Sequence, residues 1–202
     1  LMNIGKKFLK LYAAIATMIF CGMSVCSGES PDMKTKHQEG DNTMLEFYRE
    51  YGAYTNPGEH VRMFSGLPES FPELCALIKA QFIHPIADLP RYQHLIPQER
   101  HNEDALYPTV ETLIAGLLEH DLRGLIADRK PENRLIVTCR YHAIFLASIL
   151  KSRGIPVRVR YGFARYLAPH RHIYHVICEV WNDDEQRWIL IDPDREIIDL
   201  PR

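Results

Sequence analysis

The chain has 202 residues, is 46% hydrophobic and 25% charged, and carries a formal net charge of −2 at pH 7. That composition suits a globular protein with one sizeable core, and the length leaves little room for two. The balanced charge groups no basic patch for nucleic acid.

Lys6, Lys7 and Lys10 precede an uncharged run from Leu11 to Cys26, followed by Ser27-Gly28-Glu29-Ser30. A basic start, a short apolar middle and small residues predict a secretory signal peptide over 1–27. The run is short for a membrane span, which needs about 20 apolar residues. Phe20 and Val25 are bulky before Cys21 and Cys26, so lipid anchoring is the minor reading. An exported protein, periplasmic or extracellular, is expected, touching membrane only through such an N-terminal anchor. The chain opens on Leu1, and translation from Met33 or Met44 would leave a cytoplasmic protein. Cys75, Cys139 and Cys178 remain beyond the leader, too few for a disulfide scaffold and without a CxxC pair for structural zinc.

Residues 28–43 read as a polar linker and 44–202 as a single domain. Met44 to Tyr51 predicts a short helix, with Asn56-Pro57-Gly58 as a turn beyond it. Leu74, Leu77 and Ile78 predict a helix from Pro72 to Phe82, and three prolines make 84–106 an extended loop. Leu113, Ile114, Leu117 and Leu118 form the stripe of a helix from Val110 to Ile126, and Arg129 to Asn133 is a polar break around Pro131. Cys139 to Ser152 is the next helix, with Thr138 as N-cap, Arg153 near its end, Gly154 at the left-handed cap position and Pro156 as stop. Strands follow at Val157–Phe163, Tyr174–Trp181 and Arg187–Asp192. Helices first and strands afterwards make the class α+β.

Cys139 opens its helix, where the macrodipole favours negative charge and lowers a thiol's pKa. The last two strands are joined by Asn182-Asp183-Asp184-Glu185, and a four-residue loop there puts His175 directly opposite Asp192. A register longer by two makes the pair diagonal but keeps it on one face. An imidazole oriented by a carboxylate is the proton-handling half of a Cys–His–Asp triad. His170, His172 and His175 also admit a metal reading, weakened because 175 points away from the other two on a strand and no acidic residue lies among them. His142, one turn from Cys139, is a rival base with no carboxylate positioned for it.

The run Cys139-Arg140-Tyr141-His142-Ala143, then Arg153-Gly154-Ile155-Pro156-Val157-Arg158, then His175-Val176-Ile177-Cys178-Glu179-Val180, then Trp188 and Asp192-Pro193, resembles the transglutaminase-like superfamily over 134–194. The resemblance implies a papain-like core, with the nucleophile helix packed on an antiparallel sheet, preceded by a helical N-terminal part. It implies acyl transfer from an amide through a thioester, with Cys139 as nucleophile, His175 as base and then acid, Asp192 as orienter, and no cofactor. Ile177 stands where many members have tryptophan, Asp194 where they have threonine, and Thr138 where a small residue is common. Beyond the Cys139 N–H, no oxyanion donor can be placed from sequence.

The remaining residues have blander readings. Cys75 and Cys178 are expected in the core, where they could pair as a disulfide. Glu179 shares the face of His175 and is expected as an exposed strand glutamate in preference to a second carboxylate of the site. Arg158 and Arg160 are expected on a solvated sheet face, His170 and His172 in a solvated loop, and Trp181 and Trp188 flanking the hairpin turn and packed on each other or the core. The expected function is a thiol protease or amidase acting on a peptide, protein or peptidoglycan-type amide, with hydrolysis favoured over crosslinking. The alternatives are a non-catalytic binding module of the same fold and a His-rich metal hydrolase.

Overall fold

A computed structural model describes residues 43–168 and 170–201. The expected signal peptide, and the linker up to residue 42, lie outside the described residues. Helix α1 spans 43–49, and a 3-10 helix, Gly58–Phe64, leads to α2, Phe71–Gln81. Ser70 caps α2, its hydroxyl accepting from the Glu73 N–H, and Leu74, Cys75, Leu77 and Ile78 are buried. Strand β1 is only Phe82–Ile83. The stretch expected as extended loop contains a short helix α3, Leu89–Tyr92, and a 3-10 turn at Gln98–Arg100.

Helix α4 runs Val110–His120, opened by a reciprocal cap between Thr109 and Thr112. It stops six residues before the expected Ile126, because the backbone turns extended at Asp121 and left-handed at Gly124. The polar break that follows hides a buried cation. Arg129 is 1% exposed, donating to Gln81 Oε1 at 2.9 Å and to the carbonyls of Leu117, Asn133 and Gly124. The chain then forms β2, Leu135–Ile136, which pairs in parallel with β1. This two-residue ladder was not legible as strands.

Helix α5, Cys139–Ser152, has the expected bounds. Eleven of its 14 residues are buried, so it is the central helix rather than a surface one. Each fully buried Leu, Ile or Phe there contributes about 1.5–3 kcal/mol. Gly154 (φ 71°) ends it in the left-handed conformation. The sheet then runs β3 (Val157–Ala164), β4 (Ile173–Asn182), β5 (Arg187–Asp192) and β6 (Ile197–Ile198), antiparallel throughout and in chain order. Val176, Cys178 and Val180 alternate inward with Val157, Ile189 and Ile191 to form one core with α5. The Cys178 thiol donates to the Ala143 carbonyl at 3.2 Å. The class is therefore α+β, with a helix packed on an antiparallel sheet. Among the described residues no helix is long and apolar enough to cross a membrane.

The hairpin register departs from the simplest expectation. Trp181 pairs with Trp188 and Cys178 with Ile191, so the loop begins one residue later, at Asp183. Asn182 Oδ1 accepts from the N–H groups of Asp184 and Glu185, and Gln186 takes a left-handed φ of 50°, returning the chain at Arg187. His175 and Asp192 are thereby diagonal neighbours on one face. The two tryptophan rings meet edge-on at 5.5 Å.

Candidate active site

The site begins where α5 begins. Thr138 occupies the N-cap position, but its hydroxyl does not cap the helix; it donates to Asp104 Oδ2 at 2.9 Å, and its N–H donates to Asp104 Oδ1 at 2.9 Å. The N–H of Cys139 is one of the four that a helix leaves without an internal acceptor. β5 pairing ends at Cys178, leaving the β4 edge open at Val176, whose N–H interacts with the Cys139 thiol.

The structure brings Cys139, His175 and Asp192 together, and all three are nearly or fully buried, at 6%, 5% and 0% exposure. His175 Nε2 lies 2.8 Å from Asp192 Oδ2, leaving Nδ1 for the thiol. The Tyr166 hydroxyl donates to the same Oδ2 at 2.7 Å, while Oδ1 accepts from the N–H groups of Asp194 and Arg195 at 3.0 and 3.1 Å. Four donors fix the carboxylate, and it can only turn with the loop that holds it.

Burial alone would raise the Cys139 pKa, but hydrogen bonds to His175 and His84, the imidazolium charge and the Val176 N–H bring it down to about 7. Burial alone would lower that of His175, but Asp192 and Cys139 lift it to about 9. The two titrations cross, so between about pH 7 and 9 the proton favours the imidazole over the sulfur. Burial pushes Cys75 up to about 12 and raises Cys178 as well. All three described cysteines are free, so Cys75 and Cys178 form no disulfide.

His84 belongs to this site and was not found from the sequence. The β1–β2 ladder pairs Ile83 with Ile136, and the Val137 N–H donates to the Ile83 carbonyl at 3.1 Å, so His84 emerges beside the start of α5. Its Nδ1 accepts from the N–H groups of Ile86 and Ala87, both at 3.2 Å, which fixes the tautomer with hydrogen on Nε2. The His84 N–H donates to Asp88 Oδ2, and Lys79 Nζ bridges that oxygen at 2.6 Å to Asp194 Oδ1 at 2.8 Å. One ammonium thus ties the His84 turn to the Asp192 turn. A lone histidine before a proline carries no sequence signal; its place depends on a ladder two residues long.

Two expectations need correction. Glu179 is 4% exposed rather than a surface residue, because Arg158 and Arg160 both clamp it. His142 does have a carboxylate nearby, Asp194 at 3.6 Å, although burial pushes its imidazole down to about 4. Trp181 and Trp188 pair across the strands and pack on each other, as expected. His170 and His172 are exposed, and among the described residues no three His, Cys, Asp or Glu side chains are grouped to hold a metal.

A cleft of about 940 Å³ opens over the thiol. His84, Cys139 and His175 line it together with apolar Ile86, Leu167 and Ile173 and the charged Arg140 and Arg195.

Residues 131–193 match the family model of the transglutaminase-like superfamily core, so the chain carries a transglutaminase-like domain in the segment that holds the three residues. No curated protein matches the chain. Among solved structures, the periplasmic domain of TgpA from Pseudomonas aeruginosa is similar at 17% identity and a TM-score of 0.40, covering 77% of this chain and 48% of that one. A protein provisionally designated a cysteine protease from Cytophaga hutchinsonii is similar at 16% identity and a TM-score of 0.27, covering 60% and 43% respectively. The chain therefore spans less than half the length of either.

Proposed function

We propose that the chain is a cysteine-dependent hydrolase of an amide or peptide bond, working through a thioester. The observation that carries this reading is a thiol at a helix start, hydrogen-bonded to an imidazole that a buried carboxylate holds at 2.8 Å. His175 takes the Cys139 proton, and the thiolate attacks the carbonyl carbon. The oxyanion sits between the Cys139 N–H and the His84 Nε2–H, the second donor that sequence alone did not supply. His175 then protonates the departing amine as the C–N bond breaks, leaving the thioester. Water enters, gives its proton to His175 and its oxygen to the acyl carbon, and the carboxylic acid leaves with the thiolate restored.

Hydrolysis is preferred to crosslinking by analogy with other bare cores of the superfamily, an argument from fold alone. The basic-then-apolar leader supports export, and with it a peptide, protein or peptidoglycan-type amide as substrate.

The test is iodoacetamide labelling of Cys139 in the full chain against pH, read by peptide mass spectrometry beside His175→Ala. Half-maximal labelling near pH 7 in the wild type, moved up to the ordinary thiol range in the variant, is the expected result. Labelling of Cys139 no faster than that of Cys75 or Cys178 would sink the enzyme reading in favour of a binding module.

A further inference from the structure

Arg140 follows the proposed nucleophile directly, and among the described residues no ion pair uses its charge. It sits in the first turn of α5, where a cation opposes the helix dipole and lowers helix stability. Among the described residues no carboxylate lies within ion-pair distance of its guanidinium, and its buried Nε has no hydrogen-bond partner. The other cations around the site have carboxylate partners: Lys79 bonds Asp88 and Asp194, Arg158 and Arg160 bond Glu179, and Arg195 pairs with Asp194 at 3.6 Å, beyond hydrogen-bond length. Asp104, the acidic residue lining the same cleft, accepts from the Thr138 N–H and hydroxyl instead. The groups that chiefly lower the thiol pKa are His175, His84 and the Val176 N–H rather than Arg140.

The guanidinium is nevertheless held in place. It lies 4.8 Å from the Tyr54 ring centroid and 5.4 Å from that of Tyr141, and the Tyr141 hydroxyl is pinned to the Asp104 carbonyl at 2.5 Å. Aromatic faces hold the planar fork without using its N–H donors, which is the preorganised state for pairing with a carboxylate. The rest of the cleft is mostly apolar, so an anion entering it finds one unpaired partner, next to Cys139.

We propose that Arg140 is a carboxylate-recognition residue, so that the preferred substrate is an amide carrying a carboxylate close to the scissile bond. This rests on Cys139 being the nucleophile. The carboxylate belongs either to an acidic side chain or to a free chain terminus, and both present the same two oxygens to the fork.

The experiment compares Cys139 alkylation by anionic iodoacetate and neutral iodoacetamide in the full chain, for wild type, Arg140→Gln and Arg140→Lys. The His175 imidazolium attracts iodoacetate in all three proteins, so the difference between them isolates residue 140. The iodoacetate-to-iodoacetamide rate ratio is expected to fall about tenfold in Arg140→Gln, the order of one charge-assisted hydrogen bond, and to recover in part in Arg140→Lys. A second arm measures protection of Cys139 by three acetylated dipeptides: one with an acidic side chain and an amidated end, one with a neutral side chain and a free end, and one neutral throughout. Protection by either charged peptide that Arg140→Gln abolishes supports the proposal and identifies the source. An unchanged ratio, or charged peptides that protect no better than the neutral one, overturns it. Slow iodoacetamide labelling of wild-type Cys139 overturns the nucleophile itself, and this proposal with it.

Discussion

Replacing His84 by Ala separates two jobs that one side chain can do. Its Nε2–H stabilises the thiolate before reaction and, in the proposed mechanism, the oxyanion during it. The first effect depends on pH. With the Cys139 pKa at about 7, half the thiol is ionised at pH 7 in the wild type, so loss of the His84 hydrogen bond slows alkylation there. Near pH 9 thiolate predominates in the wild type, and the deficit shrinks. The second effect persists at both values. Removing one oxyanion donor while the Cys139 N–H remains should cost about 10²-fold in acyl transfer. Two reagents tell the jobs apart: iodoacetamide alkylates by displacement and develops no oxyanion, whereas p-nitrophenyl acetate acylates through one. The expected pattern for His84→Ala is acylation down about 10²-fold at pH 7 and pH 9, with alkylation slowed clearly only at pH 7. Equal losses for both reagents at each pH would show that His84 acts on the ionisation of the thiol alone.

Asp192→Asn should take away the charge that keeps His175 protonated, so the midpoint of Cys139 alkylation moves up from about 7 towards the ordinary thiol range, read by the same labelling. Tyr166→Phe removes one of the two donors on Asp192 Oδ2, leaving that oxygen to the imidazolium; NMR titration should find His175 ionising above its value of about 9. Arg129→Met strands carbonyls of Leu117, Gly124 and Asn133 around an apolar side chain, and should lower unfolding stability by about 3 kcal/mol or more, read by chemical denaturation.

The parts legible in the sequence are those with local causes. α5 carries its own stop signal in Arg153-Gly154-Ile155-Pro156, and its bounds follow. The strands alternate, and alternation fixes faces even when register slips: the hairpin was two residues longer in register than its shortest form, yet His175 and Asp192 stayed on one face because the slip was even. What was not legible has causes distant in the chain. Glu179 is buried because two arginines from β3 close over it, and composition says only that a strand glutamate is usually wet. Arg129 looks like a polar break until four acceptors from three segments converge on it. His84 and Tyr166 reach the site from a turn and a strand connection whose sequences promise nothing. The triad thus reads out of two local patterns, while the groups that orient and complete it depend on tertiary assembly.

The crossed titrations in the site have a consequence for stability that differs in kind from their effect on reactivity. The folded pKa of His175 is raised from 6.5 to about 9, so its contribution is complete below 6.5 and is lost as pH rises through 9. That of Cys139 is lowered from 9.0 to about 7, so its contribution is complete above 9 and is lost as pH falls through 7. Between pH 7 and 9 the folded pair and the unfolded pair bind nearly the same number of protons; folding moves the proton from sulfur to nitrogen. The pair therefore adds almost no pH dependence to unfolding across the window in which its reactivity depends on which atom holds that proton. Cys139→Ala removes one half of the compensation. The variant keeps the Asp192-raised histidine, whose contribution declines with pH, and loses the thiolate, whose contribution grows. The wild type should then gain on the variant from pH 7 to 9 by up to about 2 kcal/mol, at about 1.4 kcal/mol per pKa unit. For a domain of this size that is a widening gap of several degrees in Tm. Parallel curves of Tm against pH for the two proteins would mean that the proton is not transferred in the folded state, and that the thiolate forms only when substrate arrives.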